Sequence, residues 1–204
     1  MRRSPLLGTQ FGLNSEFEES DLDDREREVL RFLSNNENGY YSFQGLRRRL
    51  GFHQETLTRT LRRLEEARVI ERSVDGYKLK GSAHAYSFTV PTGETLQKPI
   101  IDAYLPAQID VTILFQKLRG RWFSNFRWLG YSHDGNRLSM SWISEDGRTE
   151  LQARIGHGKI AVMVNSPSNL VEAQQIAAAY QLFDHISKVA EEMVHSTAQA
   201  PIAN

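Results

Sequence analysis

The chain has 204 residues, of which 40% are hydrophobic, and it carries 25 basic and 25 acidic side chains, so its formal net charge is zero. A chain of this length buries a sizeable core and suggests two small domains. Zero net charge excludes a global field that draws the protein to nucleic acid or membrane, so any charged binding surface must be local.

Cysteine is absent, which excludes disulfides and thiolate metal sites and agrees with a reducing compartment. No apolar run approaches the roughly 20 residues that span a bilayer. Residues 1–20 contain two arginines but no long apolar stretch, so they do not match a secretory signal. We therefore expect a cytoplasmic protein.

Residues 1–19 mix glycine, serine, asparagine and glutamate without periodicity, which predicts a flexible arm. Ser20 is a suitable cap for a first helix with an acidic first turn. The buried stripe of that helix is predicted to contain Leu22, Val29, Leu30 and Leu33.

Two further helices and a hairpin complete a predicted unit over residues 20–82. Ser42 caps a helix over Phe43 to Leu50, and Gly51 ends it. The third helix runs from about Gln54 to Ala67, with Leu57, Leu61 and Leu64 on its core face. Val69 to Lys80 is predicted as a hairpin, because Asp-Gly at Asp75 and Gly76 favours a tight two-residue turn.

The third helix carries the main functional signal. Its leucine stripe leaves a polar face outward, and only about three residues separate it from the second helix, as in a helix-turn-helix. A major groove admits one helix, where arginine binds guanine and glutamine binds adenine through two hydrogen bonds. The residues expected to contact base edges are Gln54, Thr58, Arg59 and Arg62.

Arginine is concentrated around this helix. Six arginines stand between Arg47 and Arg63, against the single acid Glu55. Such a patch suits phosphates. The candidates for phosphate contact in the helices and their turn are Ser42, Arg47, Arg48, Arg49, Thr56 and Arg63.

Three segments resemble the winged helix-turn-helix transcription regulators of bacteria and archaea, of the broad MarR, ArsR and IclR type. They are "REREVLRFLSNN", "SFQGLRRRLGFHQETLTRTLRRLEEARVIER" and "SVDGYKL". The resemblance covers roughly Leu22 to Lys80. It implies that the third helix enters the major groove and that a wing, short for the family, approaches the DNA backbone. The wing residues that it implies at phosphates are Ser73, Lys78 and Lys80.

Two other interpretations of the arginine-rich helix stay open. Such a helix is often only a solvated face, and some winged helices bind proteins. In that second interpretation the chain is an adaptor of the transcription or chromosome machinery and does not bind DNA sequence-specifically. The agreement of helix spacing, local charge and hairpin position favours DNA binding.

The second half, residues 83–204, is predicted as an α+β domain for dimerisation or sensing. Tyr86, Phe88 and Val90 alternate as in a strand, and a long connection leads to a helix marked by Ile109, Ile113, Leu114 and Leu118. Four strands separated by turn signals then form an antiparallel meander, followed by a helix from about Ser168 to His195. The strands are expected over Phe126 to Tyr131, Arg137 to Trp142, Glu150 to Ile155 and Ile160 to Val164.

The order strand, helix, four strands, helix resembles one repeat of the TATA-binding protein, and "GHGKIAVMVNSPSNLVEAQQIAAAYQLFDHISK" is similar to its last hairpin and helix. Paired phenylalanine wedges of the kind that kink DNA are absent. Six strand residues should face the helices, namely Leu138, Met140, Trp142, Leu151, Ala153 and Ile155. Ser139, Ser141, Gln152 and Arg154 should lie on the open side.

The last helix is apolar over a wide arc. One stripe contains Ile176, Tyr180, Phe183, Ala190 and Val194, and the other contains Leu182, Ile186, Val189 and Met193. Both stripes can pack on the chain's own sheet, but a regulator that binds a palindrome needs two reading helices about one DNA turn apart. We therefore expect a homodimer through the second stripe, with a small-molecule or protein effector as a further partner.

Catalysis is not expected. The six histidines are scattered without metal-ligand spacing, and "GHGK" lacks the length and hydroxyl residue of a phosphate-binding loop. Trp122, Phe123, Phe126 and Trp128 fit either a ligand pocket or, more commonly, a core. The sequence thus predicts a DNA-binding transcription regulator without enzyme activity, metal or cofactor.

Overall fold

The computed structural model describes residues 22–34, 39–80, 99–167 and 171–198. The expected arm over residues 1–19, the expected cap at Ser20 and the expected strand from Tyr86 to Val90 lie outside these ranges. Within them the chain forms five helices and eight strands, and the predicted α+β class is confirmed.

The first three helices are α1 (Asp24–Ser34), α2 (Phe43–Leu50) and α3 (Gln54–Glu66), in the predicted order. α1 is capped by a reciprocal pair of hydrogen bonds, because Glu26 N donates to the Asp23 carboxylate at 2.8 Å and Asp23 N donates to the Glu26 carboxylate at 2.9 Å. The predicted stripe of this segment is confirmed as buried: Leu22, Val29, Leu30 and Leu33.

Strands β1 (Gly39–Tyr41), β2 (Ile70–Ser73) and β3 (Gly76–Leu79) accompany these helices. The hairpin of β2 and β3 is confirmed, but its turn lies one residue earlier than predicted. Ser73 pairs with Gly76, so Val74 and Asp75 are the two turn residues. Gly76 follows them with φ +125°, and a Cβ there would lie 2.2 Å from the carbonyl oxygen of Tyr41. Glycine at this position is therefore required by both conformation and space.

The second half contains the predicted helix, the predicted four-stranded meander and the long last helix. One correction concerns the expected long connection, part of which forms a strand, Ile101–Tyr104, paired with the last strand of the meander. In chain order the elements are β4 (Ile101–Tyr104), α4 (Val111–Leu118), β5 (Phe126–Asp134), β6 (Arg137–Ser144), β7 (Glu150–Gly156), β8 (Lys159–Asn165) and α5 (Glu172–Ala198).

A single antiparallel sheet runs through both halves, in the order β2-β3-β1-β5-β6-β7-β8-β4. The three-residue strand β1, which the sequence did not predict, joins the halves because it pairs with β3 on one side and β5 on the other. Tyr40 stands opposite Tyr131, and a Cβ on Gly130 would lie 2.1 Å from the carbonyl oxygen of Tyr40. The backbones thus meet closely at this seam.

Two hydrophobic cores lie on this sheet. The register of β5 shifts between Trp128 and Gly130, which is a β-bulge. Trp128 packs into the core under α4 and α5, whereas Leu129 packs with Ile143 into the core of the winged helix. The second half therefore completes the core of the first. The larger core also contains Phe123 and Phe126, while Trp122 is 66% exposed.

The strand residues expected to face the helices are all buried, as predicted: Leu138, Met140, Trp142, Leu151, Ala153 and Ile155. On the opposite face Arg154 is exposed, but Ser141 is buried, contrary to the expected open side. α2 packs against β5 and β6 on that face, and Arg49 from its last turn approaches Glu150 on β7. The winged helix therefore covers part of a surface that was expected to be open.

The expected dimerisation stripe on α5 is wrong as an interface. Leu182, Ile186 and Met193 are buried in the core of their own chain, and Val189 is half-buried against it. These side chains already contact the sheet and have little surface left for a second copy. From the other stripe, Ile176, Tyr180 and Val194 remain exposed.

Candidate nucleic-acid interface

The helix-turn-helix is built from α2, residues 51–53 and α3. The Ser42 hydroxyl caps α2 by accepting from Gly45 N at 3.0 Å, and Gly51 ends it in the left-handed region with φ +68°. His53 occupies the cap position of α3 but its side chain makes no capping hydrogen bond. Gly45 allows α2 to lie directly on the sheet, since a Cβ there would stand 2.7 Å from the Cα of Leu129. The sheet thus supports α2 from below.

α3 presents a polar face to solvent because its other face is buried. Leu57, Leu61 and Leu64 are buried as predicted, together with Thr60. The four residues expected to contact base edges are all exposed: Gln54, Thr58, Arg59 and Arg62. The side chains of Arg59 and Arg62 are 73% and 77% exposed. Both side chains are therefore largely open to solvent.

Both of these arginines form ion pairs along the helix. Arg59 lies 3.2 Å from Glu55, and Arg62 lies 2.8 Å from Glu66. Exposed pairs of this kind contribute about 0.3–0.5 kcal/mol each. Hydrogen bonds from arginine to a guanine edge discriminate between bases by about 1–3 kcal/mol, which is more than such an ion pair contributes to stability. The intrahelical pairs do not prevent binding.

The arginines at the end of α2 have different surroundings. Arg47 binds the side chain of Gln44, and Arg48 donates to the carbonyl of Gln44 at 3.2 Å. Burial, followed by the positive charges of Arg47 and Arg127, lowers the pKa of Arg48. Arg49 points to the second half: its Nε lies 3.9 Å from a Glu150 oxygen and its guanidinium stands over the Phe32 ring.

These contacts compete with part of the expected phosphate surface. Arg49 is held between the two halves by Glu150 and Phe32. Ser42 donates to the carbonyl of Trp128 at 3.1 Å while it caps α2, so its hydroxyl is already used. The half-buried residues Arg47, Arg48 and Thr56 remain as candidates.

Arg63 also has a structural partner. Its guanidinium donates to the Asp23 carboxylate at 3.1 Å, and its Nε lies 3.2 Å from Oε1 of Glu26, whose side chain is 1% exposed. Arg63 therefore links α3 to the start of α1 and compensates a buried carboxylate. These ion pairs compete with the expected phosphate contact of Arg63, which stays a prediction.

The wing residues are likewise mostly engaged. Ser73 shapes the turn, since its hydroxyl accepts from Asp75 N at 3.1 Å. Lys78 forms an ion pair with Glu71 at 2.8 Å and donates to the Tyr40 hydroxyl at 2.9 Å, and these two hydrogen bonds raise its pKa. Lys80 alone of the three expected wing contacts is exposed without such a partner among the described residues.

A contact that the sequence did not predict holds the wing turn against the second half. The Arg119 guanidinium, at the end of α4, forms an ion pair with the Asp75 carboxylate and approaches the carbonyl of Val74 at 3.4 Å. The Tyr131 hydroxyl also hydrogen-bonds to Asp75, and burial followed by that carboxylate raises the pKa of Tyr131 to about 12. The shortness of the turn was the one sequence signal for this, since a two-residue turn does not project far.

Comparison with known proteins agrees with this geometry. Residues 26–106 match the HxlR-like helix-turn-helix family. The match spans the elements from α1 to β4 and indicates a DNA-binding transcription regulator. No curated protein and no solved structure matches the chain. The likeness to the MarR, ArsR and IclR types and to the TATA-binding protein stays a prediction.

Two further searches cover only the described ranges. None of the helices there is long and apolar enough to cross a membrane. Histidines and carboxylates do not group there into a set of three that could hold a metal ion.

Proposed function

We propose that the protein binds duplex DNA sequence-specifically and regulates transcription, with α3 in the major groove. Gln54, Thr58, Arg59 and Arg62 contact base edges. The observation that best supports this proposal is that the Arg59 and Arg62 side chains are exposed on the face of α3 opposite its buried leucines. Arg47 and Lys80 contact phosphates, so the short wing contributes one phosphate contact through Lys80.

We further propose a functional division into an arm over residues 1–19, a winged helix over 20–82 and a sensing or assembly unit over 83–204, as the sequence predicts. The continuous sheet fixes the second unit to the first. The cytoplasm is the proposed location, and catalysis is no part of the proposed function.

A homodimer is proposed because one α3 contacts only one half-site. The apolar side chains that remain exposed on and before α5 support this: Val171 is 61%, Ile176 39% and Tyr180 60% exposed. Light scattering should return twice the 23.4 kDa of one chain at micromolar concentration. Tyr180→Glu should reduce that mass to one chain. A single-chain mass for the unaltered protein refutes this assembly.

Binding to duplex DNA over a range of salt concentrations tests the main proposal. Affinity for random duplex should fall steeply with salt, as counterions are released from phosphates. At a site selected from genomic fragments, Arg59→Ala and Arg62→Ala should each cost about 1–3 kcal/mol and relax the base preference at one position. Arg137→Ala, an exposed arginine at the start of β6, is the matched control and should leave affinity unchanged.

Two outcomes contradict the proposal. If neither random nor selected duplex binds at about 50 mM salt, the adaptor interpretation replaces it. If the Arg59→Ala and Arg62→Ala variants lose affinity equally for every sequence, these arginines contact phosphates and base reading is refuted.

A further inference from the structure

A cavity of about 550 Å³ opens between the segment that leads from β4 into α4 and the last turns of α5. Leu105, Pro106 and Ile109 form one wall, and Phe183, Ala190 and Val194 form the other. The volume lies within the range of small-molecule sites, about 300–1,000 Å³. It far exceeds the space of a missing methyl group, so it is not a packing defect of the core.

The polar groups of the cavity are few and have one sign of charge. Its ionisable side chains other than the Tyr104 phenol are Glu191 and His195, one turn apart on α5. Glu191 is exposed and forms no ion pair within the described ranges. The imidazole of His195 lies on the same side and can take part in hydrogen bonds. Glu191 is therefore the charged group of the lining that attracts a cation.

The aromatic ring at the rim already holds a cation of the chain. Tyr104 is 81% exposed, and the Lys159 ammonium already lies 5.2 Å from its ring centroid. The ring thus accepts a cation in this structure, as expected for the negative face of an aromatic group. Lys159 itself is not part of the cavity lining, and it lies 4.0 Å from Asp102.

We propose that this cavity binds a small amphipathic amine. The apolar body of the ligand fills the space between Ile109 and Ala190, and its ammonium group lies beside Glu191. The role of this cavity as an effector site rests on the proposed function as a regulator. Binding of the amine to the cavity does not require DNA. A carboxylate ligand of the same shape would place its charge beside that of Glu191, which is unfavourable.

Calorimetry on the full chain, without DNA and at about pH 8, tests the site with two probes of matched shape. 4-Phenylbutylamine is the cation and 5-phenylpentanoate is the anion. The amine should bind about tenfold more tightly than the acid, because Glu191 attracts the ammonium group and repels the carboxylate. Glu191→Gln should reduce this preference to within about twofold. Glu172→Gln, an exposed glutamate at the other end of α5, should leave it unchanged.

Val194→Trp narrows the cavity from its exposed wall and should weaken binding of the amine about tenfold or more. Val194 is 39% exposed, so the larger side chain can be accommodated without displacing the core. Equal binding of both probes by the unaltered protein, tighter binding of the acid, or a tenfold preference for the amine that survives in Glu191→Gln overturns the proposal. Absence of binding by either probe at millimolar concentration overturns it too. If light scattering shows that the amine is excluded by a second copy, that copy is the occupant and the amine site is refuted. A loss of DNA binding alone would refute the regulator function and leave these results intact.

Discussion

The Arg119 guanidinium and the Asp75 carboxylate join the end of α4 to the turn of the wing. Their side chains are 37% and 21% exposed, so the pair is partly desolvated. Tyr131 supports the same carboxylate from β5, and its ring packs on Phe115 of α4 with 4.7 Å between centroids. The wing is thus held by the second unit and by its own hairpin.

A double-mutant cycle with Asp75→Asn and Arg119→Ala should give a coupling free energy of about 1 kcal/mol in urea unfolding. Either single variant should also speed hydrogen exchange at the amides of Val74 to Gly76, because the turn loses its anchor. Asp184→Asn with Lys188→Ala, an exposed pair on α5, is the matched control and should show a smaller coupling, because solvent screens both side chains. Exchange at the turn that stays as slow as in the unaltered protein would contradict the proposed anchor.

Gly76→Ala should destabilise the fold by more than 2 kcal/mol, on the order of a strained backbone plus a steric overlap. Its φ is +125°, and the added Cβ would meet the Tyr41 carbonyl at 2.2 Å, where β1 holds the two halves together. Gly158→Ala separates the two causes, since Gly158 has φ +72° and open space around it. That variant should cost only about 1 kcal/mol. If thermal unfolding shows equal losses of stability for the two variants, the backbone around β1 shifts to accommodate the added Cβ and the steric overlap contributes little.

Local patterns were sufficient to predict α1 to α3, the hairpin and the meander. In each of these elements the buried hydrophobic residues recur at the spacing of a helix or a strand, as Leu57, Leu61 and Leu64 do on α3. β1 was missed because three residues are too few to show an alternating hydrophobic pattern. Its pairing with β3 and β5 depends on the folded chain and leaves no local signal in the sequence. The same reason explains β4, a four-residue strand whose only described partner in the sheet is β8.

The interface was predictable only in part. A buried leucine stripe fixes which residues of α3 face outward, so the exposure of Arg59 and Arg62 followed from the sequence. The partners of Arg49 and Arg63 did not, because Glu150 and Glu26 are distant in the chain and reach them only in the folded protein. Likewise two apolar stripes on α5 look equivalent in sequence, and the sheet decides which one is buried.

Arg63→Ala should mainly lower stability, whereas Arg62→Ala should mainly weaken DNA binding. Arg63 compensates the buried carboxylate of Glu26, so its removal should lower the free energy of unfolding by about 2 kcal/mol, less than for a fully buried pair because Arg63 is half exposed. Arg62→Ala should change stability by less than about 0.5 kcal/mol and act on DNA affinity. Urea unfolding and DNA titration on the same two proteins distinguish them. If the Arg63→Ala variant is as stable as the unaltered protein but binds DNA more weakly, Arg63 contacts a phosphate.

His185 lies on α5 with its ring stacked on Phe123, at 5.1 Å between centroids, and its Nε2 is buried without a hydrogen-bond partner among the described residues. Burial is the largest cause that lowers its pKa from 6.5. Lys188 and Arg121 lower it further, and Asp184 opposes them. The folded protein therefore favours the neutral ring.

Stability from His185 should be fully present above about pH 6.5 and decrease as the pH falls toward its lowered folded pKa, because the unfolded chain binds the proton more readily in that window. His185→Phe keeps an aromatic ring against Phe123 but cannot be protonated. Unfolding in urea at about pH 7.5 and pH 5 should show a smaller acid loss for this variant than for the unaltered protein. His133→Gln, an exposed histidine on β5, is the control and should keep the full acid loss. An unchanged loss in His185→Phe would assign the acid sensitivity to other groups.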